Sequence, residues 1–134
     1  MRTSIHAVSI FILFAFFMQN SFAYIPTDIP EGITAAIKSG NSRELAKYFD
    51  TNIELVILDK EDVYSRTQAE LILKDFFSKH KPTNFTIIHR GGEGAKYAIG
   101  TLFTSNGNFR VYILLKTKNE KPYIHSLRIE EEDE

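Results

Sequence analysis

From Asn84 to Glu130 the chain is patterned in steps of two. Apolar side chains alternate with their neighbours through Asn84–Arg90, Ala95–Thr104, Phe109–Lys118 and Tyr123–Glu130, and the breaks between these runs are the turn-forming stretches GGEG, SNG and KNEKP. A meander of four strands is predicted. Upstream the period lengthens: Ala69, Ile72, Leu73, Phe76 and Phe77 recur at helical spacing behind a Ser65–Gln68 capping box, and Pro82 closes the segment after His80. Two shorter helices come first. One runs from Pro30 to Ser39, with Ile29, Ile33, Ala36 and Ile37 on one side and Gly40 as its stop. The next is capped by Asn41 with Glu44 three residues on, and turns Leu45, Tyr48 and Phe49 to the core. Between the second and third helices, Asn52–Leu58 alternates as a strand, followed by a short extended piece at Val63 and Tyr64. The order predicts an α+β domain: a curved antiparallel sheet of four main strands plus an N-terminal strand, packed on three helices. Ala98 and Gly100 leave room on the sheet for the third helix or for a cavity beneath it.

The hairpin GTLFTSNGNFRVYILLK carries a second signal. A tight turn at Asn106-Gly107 sets Leu102 opposite Val111 and Ala98 opposite Leu115 on a core face. The other face then pairs Phe103 with Arg110, Thr101 with Tyr112 and Ile99 with Leu114, where a water-facing sheet surface is normally polar. In the last hairpin, a two-residue turn at Asn119-Glu120 puts Leu127 and Ile129 on that second face and Arg128 in the core. A loop one residue longer, or a bulge, returns Leu127 and Ile129 to the core. Ile99, Phe103, Tyr112 and Leu114 stay on the second face in either register. A contiguous apolar patch there marks an interaction site, with Arg110 beside it.

The N-terminus changes the compartment. Residues 1–23 combine Arg2 and His6, the apolar run Ala7–Met18 and the small residues of Ser21-Phe22-Ala23, the three-part pattern of a secretory leader cut after Ala23. The apolar run is shorter than the about 20 residues a spanning helix needs. Residues 24–134 then form one exported domain, periplasmic or extracellular, free of the membrane after cleavage and held by apolar packing, because the sequence has 0 cysteines. Loss of Arg2 takes the 16 basic side chains to 15 against 17 acidic ones, a net charge of −2 that does not point to nucleic acid. Five of the acids form the run 130–134, and the body without them is at +3; a solvated acidic tail is expected.

The segments SGNSRELAKYFDTNIELVI, AELILKDFFSKHKPTNFTIIHRG and YAIGTLFTSNGNFRVYILLK resemble a family of short exported bacterial proteins grouped as domain of unknown function 4783. The element order resembles the nuclear transport factor 2-like superfamily, an α+β cone that also houses ketosteroid isomerase-type enzymes. The resemblance implies the fold and export, and transfers no reaction. Sheet faces commonly pack in dimers in that superfamily, so the second face is expected to hold a homodimer or to dock an exported protein. Inside the cone, Tyr48, Phe49, Leu73, Phe76 and Phe77 either line a small-ligand pocket or fill it.

Enzymes of this cone need an internal acid or base and an oxyanion donor. His89 in step with Phe85 and Ile87, with Tyr97 on the next strand, is the sharpest catalytic candidate, as the His/Tyr pair of an isomerase or dehydratase. Asp50, Asp59 and Asp62 sit where aspartate caps or turns a chain, and Asp75 falls on the polar side of its helix. His80, His89 and His125 lie on separate elements without ligand spacing, so neither metal nor cofactor is expected. GGEG lacks the Gly-Lys-Ser/Thr ending of a phosphate loop, and the sequon at Asn84 opens a strand. Arg110, Lys116, Lys118 and Lys121 surround Tyr112 and Tyr123, an arrangement open to an anion or glycan, but the favoured reading is the usual protection of sheet edges by lysine. The expectation is a non-catalytic binding module, with the enzyme as its alternative.

Overall fold

The computed structural model describes residues 29–133; the leader expected at 1–23 and the residues following it to 28 lie outside them. Helices α1 (Glu31–Ser39) and α2 (Ser42–Ala46) precede strand β1 (Phe49–Ile57) and strand β2 (Lys60–Ser65). Helix α3 (Arg66–Lys79) then leads into β3 (Pro82–Gly91), β4 (Lys96–Thr104), β5 (Gly107–Lys118) and β6 (Lys121–Glu131). The strands make one six-stranded sheet in the order β2-β1-β6-β5-β4-β3. Two parts of the expectation are corrected here. The extended piece at Val63 and Tyr64 is a full strand that pairs antiparallel with β1 from Asn52↔Ser65 to Ile57↔Lys60, and the sheet is mixed, because β1 runs parallel to β6.

The helix ends follow the local chemistry. Gly40 closes α1 in the left-handed conformation at φ 67°, with its N–H donating to the Ile37 carbonyl and the Asn41 N–H to the Ala36 carbonyl. The Asn41 side chain accepts from the Glu44 N–H at 3.1 Å, and the Ser65–Gln68 capping box opens α3. Helix α2 ends earlier than the apolar spacing suggested. Phe49 is the first residue of β1, and the chain between is fixed by the Ile124 N–H donating to the Tyr48 carbonyl at 2.7 Å.

All three helices lie on one face of the sheet, and the core is made there. Ile33 and Ile37 of α1, Leu45 of α2, and Leu73, Phe76 and Phe77 of α3 pack on Leu55, Leu102, Val111, Ile113, Leu127 and Ile129 of the strands. Phe85 of β3 fills the space left by Gly100: a Cβ on Gly100 would come within 2.6 Å of its ring. No room for a cavity remains at that point.

The β4–β5 turn is displaced from its predicted place. Thr104 pairs with Gly107 and Leu102 with Phe109, so the central residues are Ser105 and Asn106. Asn106-Gly107 is strong local turn chemistry, yet tertiary contacts outweigh it. The Ser105 N–H donates to the Lys81 carbonyl at 3.0 Å, the Asn106 carboxamide donates to the Lys79 carbonyl at 3.1 Å and meets His80 Nδ1 at 3.0 Å. The turn is therefore pulled to the C-terminal end of α3. Each strand moves one step, so every side chain keeps its predicted face while its partner changes.

The last hairpin combines both alternatives read from the sequence. Asn119 and Glu120 form a two-residue turn with left-handed φ values of 51° and 65°, and a bulge between the Leu114↔Ser126 and Leu115↔Ile124 pairs absorbs His125. Leu127 and Ile129 consequently face the core, and Arg128 faces out. The acidic run is also more ordered than a frayed tail. Glu130 and Glu131 pair with Arg110 and Phe109, and the Glu132 N–H donates to the Asn108 carbonyl at 3.1 Å.

Candidate functional site

Pairing across the sheet lays out the outer face, opposite the helices, in rows. One row reads Val63, Glu54, Ser126, Leu114 and Tyr97 from β2 to β4; the next reads Glu61, Val56, Arg128, Tyr112, Ile99 and His89 from β2 to β3. A third joins Glu130, Arg110, Thr101 and Thr86, and Phe103 lies beyond it beside Asn108 and Asn84. All five residues expected on a second face are therefore together on it: Ile99, Phe103, Arg110, Tyr112 and Leu114. Phe103 and Tyr112 are 36% and 37% exposed, Ile99 and Leu114 half-buried. A shallow groove of about 370 Å³ runs between Tyr97, Ile99, Tyr112 and Leu114 towards Ser126, Arg128 and Glu130.

The surface is divided by charge. Among the described residues its β2-β1-β6 half presents Glu54, Glu61, Glu130 and Glu132 with Arg128 and Lys121, whereas its β5-β4-β3 half presents Arg110, Lys116, Lys118 and His89 among aromatic and aliphatic groups. One ion pair crosses the seam, Arg110 to Glu132, while Arg128 pairs with Glu130 along β6 at 3.1 Å.

His89 and Tyr97 do meet, His89 Nε2 lying 3.0 Å from the Tyr97 hydroxyl. They do so on the outer face and not inside the cone. A bulge between Ile87 and His89 breaks the alternation on which the sequence reading relied, so Phe85 and Ile87 face inward while His89 sits opposite Ile99. The phenol lies across Gly91, where a Cβ would come within 2.8 Å of the hydroxyl. His89 is exposed. An internal base and oxyanion donor is not what this pair provides.

Of the interior candidates, Phe49, Leu73, Phe76 and Phe77 are buried in the helix–sheet core and Tyr48 is packed partly buried against it. Tyr48 reaches over Gly32, where a Cβ would overlap its hydroxyl. Phe76 stacks edge-on against Phe77 and Phe109, with ring centroids 5.8 and 5.2 Å apart, and His80 packs on Phe76 and Phe109 at 4.8 Å. No group of three or more His, Cys, Asp or Glu side chains is placed to hold a metal ion among the described residues.

Asp50, read from the sequence as a capping or turn aspartate, has a different place in the structure. It is buried in β1 where the β1–β6 ladder is interrupted between Phe49 and Glu54. The Lys118 ammonium reaches it from the tip of the last hairpin at 2.7 Å, and the Thr51 N–H donates to it at 2.7 Å. These hydrogen bonds, first that of Lys118, hold its carboxyl below the ordinary aspartate value against the opposing cost of burial. No local pattern could have announced a pair 68 residues apart. Also unannounced is a cleft of about 430 Å³ at the end of β5 and β6, lined by Asn106, Asn108, Phe109, Glu131, Glu132 and Asp133.

A six-stranded curved sheet closed on one side by three helices is an α+β domain of the nuclear transport factor 2-like and cystatin-like kind. The chain belongs to the family described as domain of unknown function DUF4783, whose model matches residues 30–130. It is similar to a solved DUF4783 protein of Bacteroides uniformis ATCC 8492, with 39% identity, a TM-score of 0.75, and coverage of 79% of this chain and 99% of that one. A DUF4783 protein of Bacteroides ovatus ATCC 8483 is 36% identical, with a TM-score of 0.76 and coverage of 80% and 98%. A cystatin-like domain of unknown function from Nostoc punctiforme PCC 73102, 11% identical with a TM-score of 0.61 and coverage of 78% and 73%, shares the fold alone. No curated protein matches the sequence.

Proposed function

We propose that this protein is an exported, non-catalytic binding module that works through the outer face of its sheet and docks there with a second copy of the same chain. The observation that carries the reading is the outer face itself. Tyr112, Phe103, Ile99 and Leu114 form an apolar surface on a sheet whose other face is already covered by helices. Filling of the interior by Phe49, Leu73, Phe76 and Phe77 directs binding outward. The division of charge supports self-association. A two-fold axis along the strands would lay the acidic β2-β1-β6 half of one copy on the basic and aromatic half of the other. Export rests on the leader pattern of residues 1–23.

Light scattering of the mature chain across a dilution series tests this. A dimer is expected, weakening as salt rises, and Phe103→Glu or Tyr112→Glu is expected to give a folded monomer. A wild-type chain monomeric at every concentration, or variants that remain associated, would overturn the self-docking reading.

A further inference from the structure

A two-fold rotation has no translation along its axis. With the axis running along the strands, each row of the outer face therefore meets the same row of the second copy, taken in reverse order. The strands divide evenly about the β6–β5 boundary, and for an axis placed there the row Glu61, Val56, Arg128, Tyr112, Ile99, His89 is its own complement. Val56 falls on Ile99, the Arg128 guanidinium on the Tyr112 ring, and Glu61 at one edge on His89 from the other. We propose that two copies dock in this register and that protonation of His89 against Glu61 of the second copy tightens the association in mild acid. This register rests on self-docking through the outer face and adds to it a fixed pairing and a pH dependence.

The neighbouring rows agree with the pairing. Glu130 falls on Arg110, Ser126 on Leu114, and Glu54 on Tyr97, whose hydroxyl lies 3.0 Å from His89 Nε2. At the hairpin tip Lys118 falls on Lys121, and there Asp50 neutralises Lys118 at 2.7 Å. Tyr112 stands midway along β5, so its row lies where two twisted sheets packed at about 30° stay in contact. Within its own chain His89 meets Tyr97 and Ile99 from β4; Arg90 follows it on β3, Glu93 lies in the loop beyond, and Glu31 of α1 lines the cleft with Arg90. Glu61 and His89 are both exposed, and neither makes an ion pair among the described residues. An imidazolium donates from both nitrogens, so one holds the Tyr97 hydroxyl while the other reaches the carboxylate of the second copy. A glutamate–histidinium pair exists between the ordinary carboxylate value of about 4.3 and the ordinary imidazole value of about 6.5. Pairing raises the imidazole value in the dimer, so the added affinity is present in that window and is lost as pH rises through the raised value.

Sedimentation equilibrium of the mature chain at about pH 5.5 and about pH 7.5 reads the effect. The dissociation constant of wild type is expected to be about three- to tenfold lower in the acid buffer, and His89→Gln and Glu61→Gln are each expected to abolish the difference. Charge reversal tests the pairing between copies. Glu61→Lys and His89→Glu should each weaken self-association when alone, whereas an equimolar mixture of the two should form heterodimers at least as tight as wild type, because residues at opposite edges of one sheet meet only across the interface. A dimer with the same dissociation constant at both pH values, or a mixture that associates no better than its components, would overturn this register and leave self-docking standing. A wild-type chain monomeric under every condition would overturn both.

Discussion

The two faces of this sheet are built from the same strands, residue by residue in alternation, yet they obey different rules. On the inner face β1 and β3 to β6 contribute aliphatic or aromatic groups that the helices bury, down to Leu55, Leu102, Val111 and Leu127 at 0% exposure. The outer face mixes Tyr112, Ile99 and Leu114 with Arg110, Arg128, Glu54 and Glu130, and most of these remain in reach of solvent. Alternation alone makes a sheet; what differs is whether burial is complete within one chain. The inner face is finished, and the outer face has the composition of an interface core inside a charged rim.

This contrast can be broken by substitution. Leu73→Ala, at the centre of the inner core, should lower unfolding free energy by about 2–5 kcal/mol, read from urea titrations with unchanged slope. Gly100→Ala forces a methyl against the Phe85 ring and the Thr86 carbonyl, and should cost about 1–3 kcal/mol in the same measurement. Asp50→Asn, which removes the clasp to Lys118, should cost about 1 kcal/mol at neutral pH. The sign of its pH dependence follows from the lowered carboxyl. Stability from Asp50 is present above the unfolded value of about 3.9 and is lost as pH falls through the folded one, so wild type and Asp50→Asn should converge in acid. On the outer face, Tyr112→Glu should move the monomer's stability by only about 0.5 kcal/mol while abolishing association. Smallest of all, Glu120→Gly relieves a left-handed residue at the hairpin tip and should raise the melting midpoint slightly, by about 0.5 kcal/mol of stability.

Legibility followed the range of the forces involved. The capping box at Ser65, the stop at Gly40 and the facing of Ile99, Phe103, Tyr112 and Leu114 are written in residues close together, and the structure keeps them. The displaced β4–β5 turn was not legible, because Asn106 answers to Lys79 and His80 across 27 and 26 residues and not to Gly107 beside it. His89 shows the same limit at shorter range. One inserted residue at Ile88 reverses its face, and nothing in FTIIHR distinguishes a bulge from a regular strand. Strand β2 was under-read because Lys60, Glu61 and Asp62 lack the apolar alternation of a half-buried strand; their pairing with β1 supplies what the pattern does not.

The position of β6 also sets the timetable of assembly. It is the last of the described strands, yet in the sheet it stands between β1 and β5, so among the described residues the hairpin of β1 and β2 joins the rest of the sheet only through β6. Helices and the β3–β5 meander can organise from local contacts, while closure of the parallel β1–β6 ladder must wait for β6. A chain truncated before Tyr123 would lose the bridge between the two ends of its sheet and leave two edges unpaired. The strand order thus makes β6 the keystone of the sheet: its two parts become one only when that strand is in place.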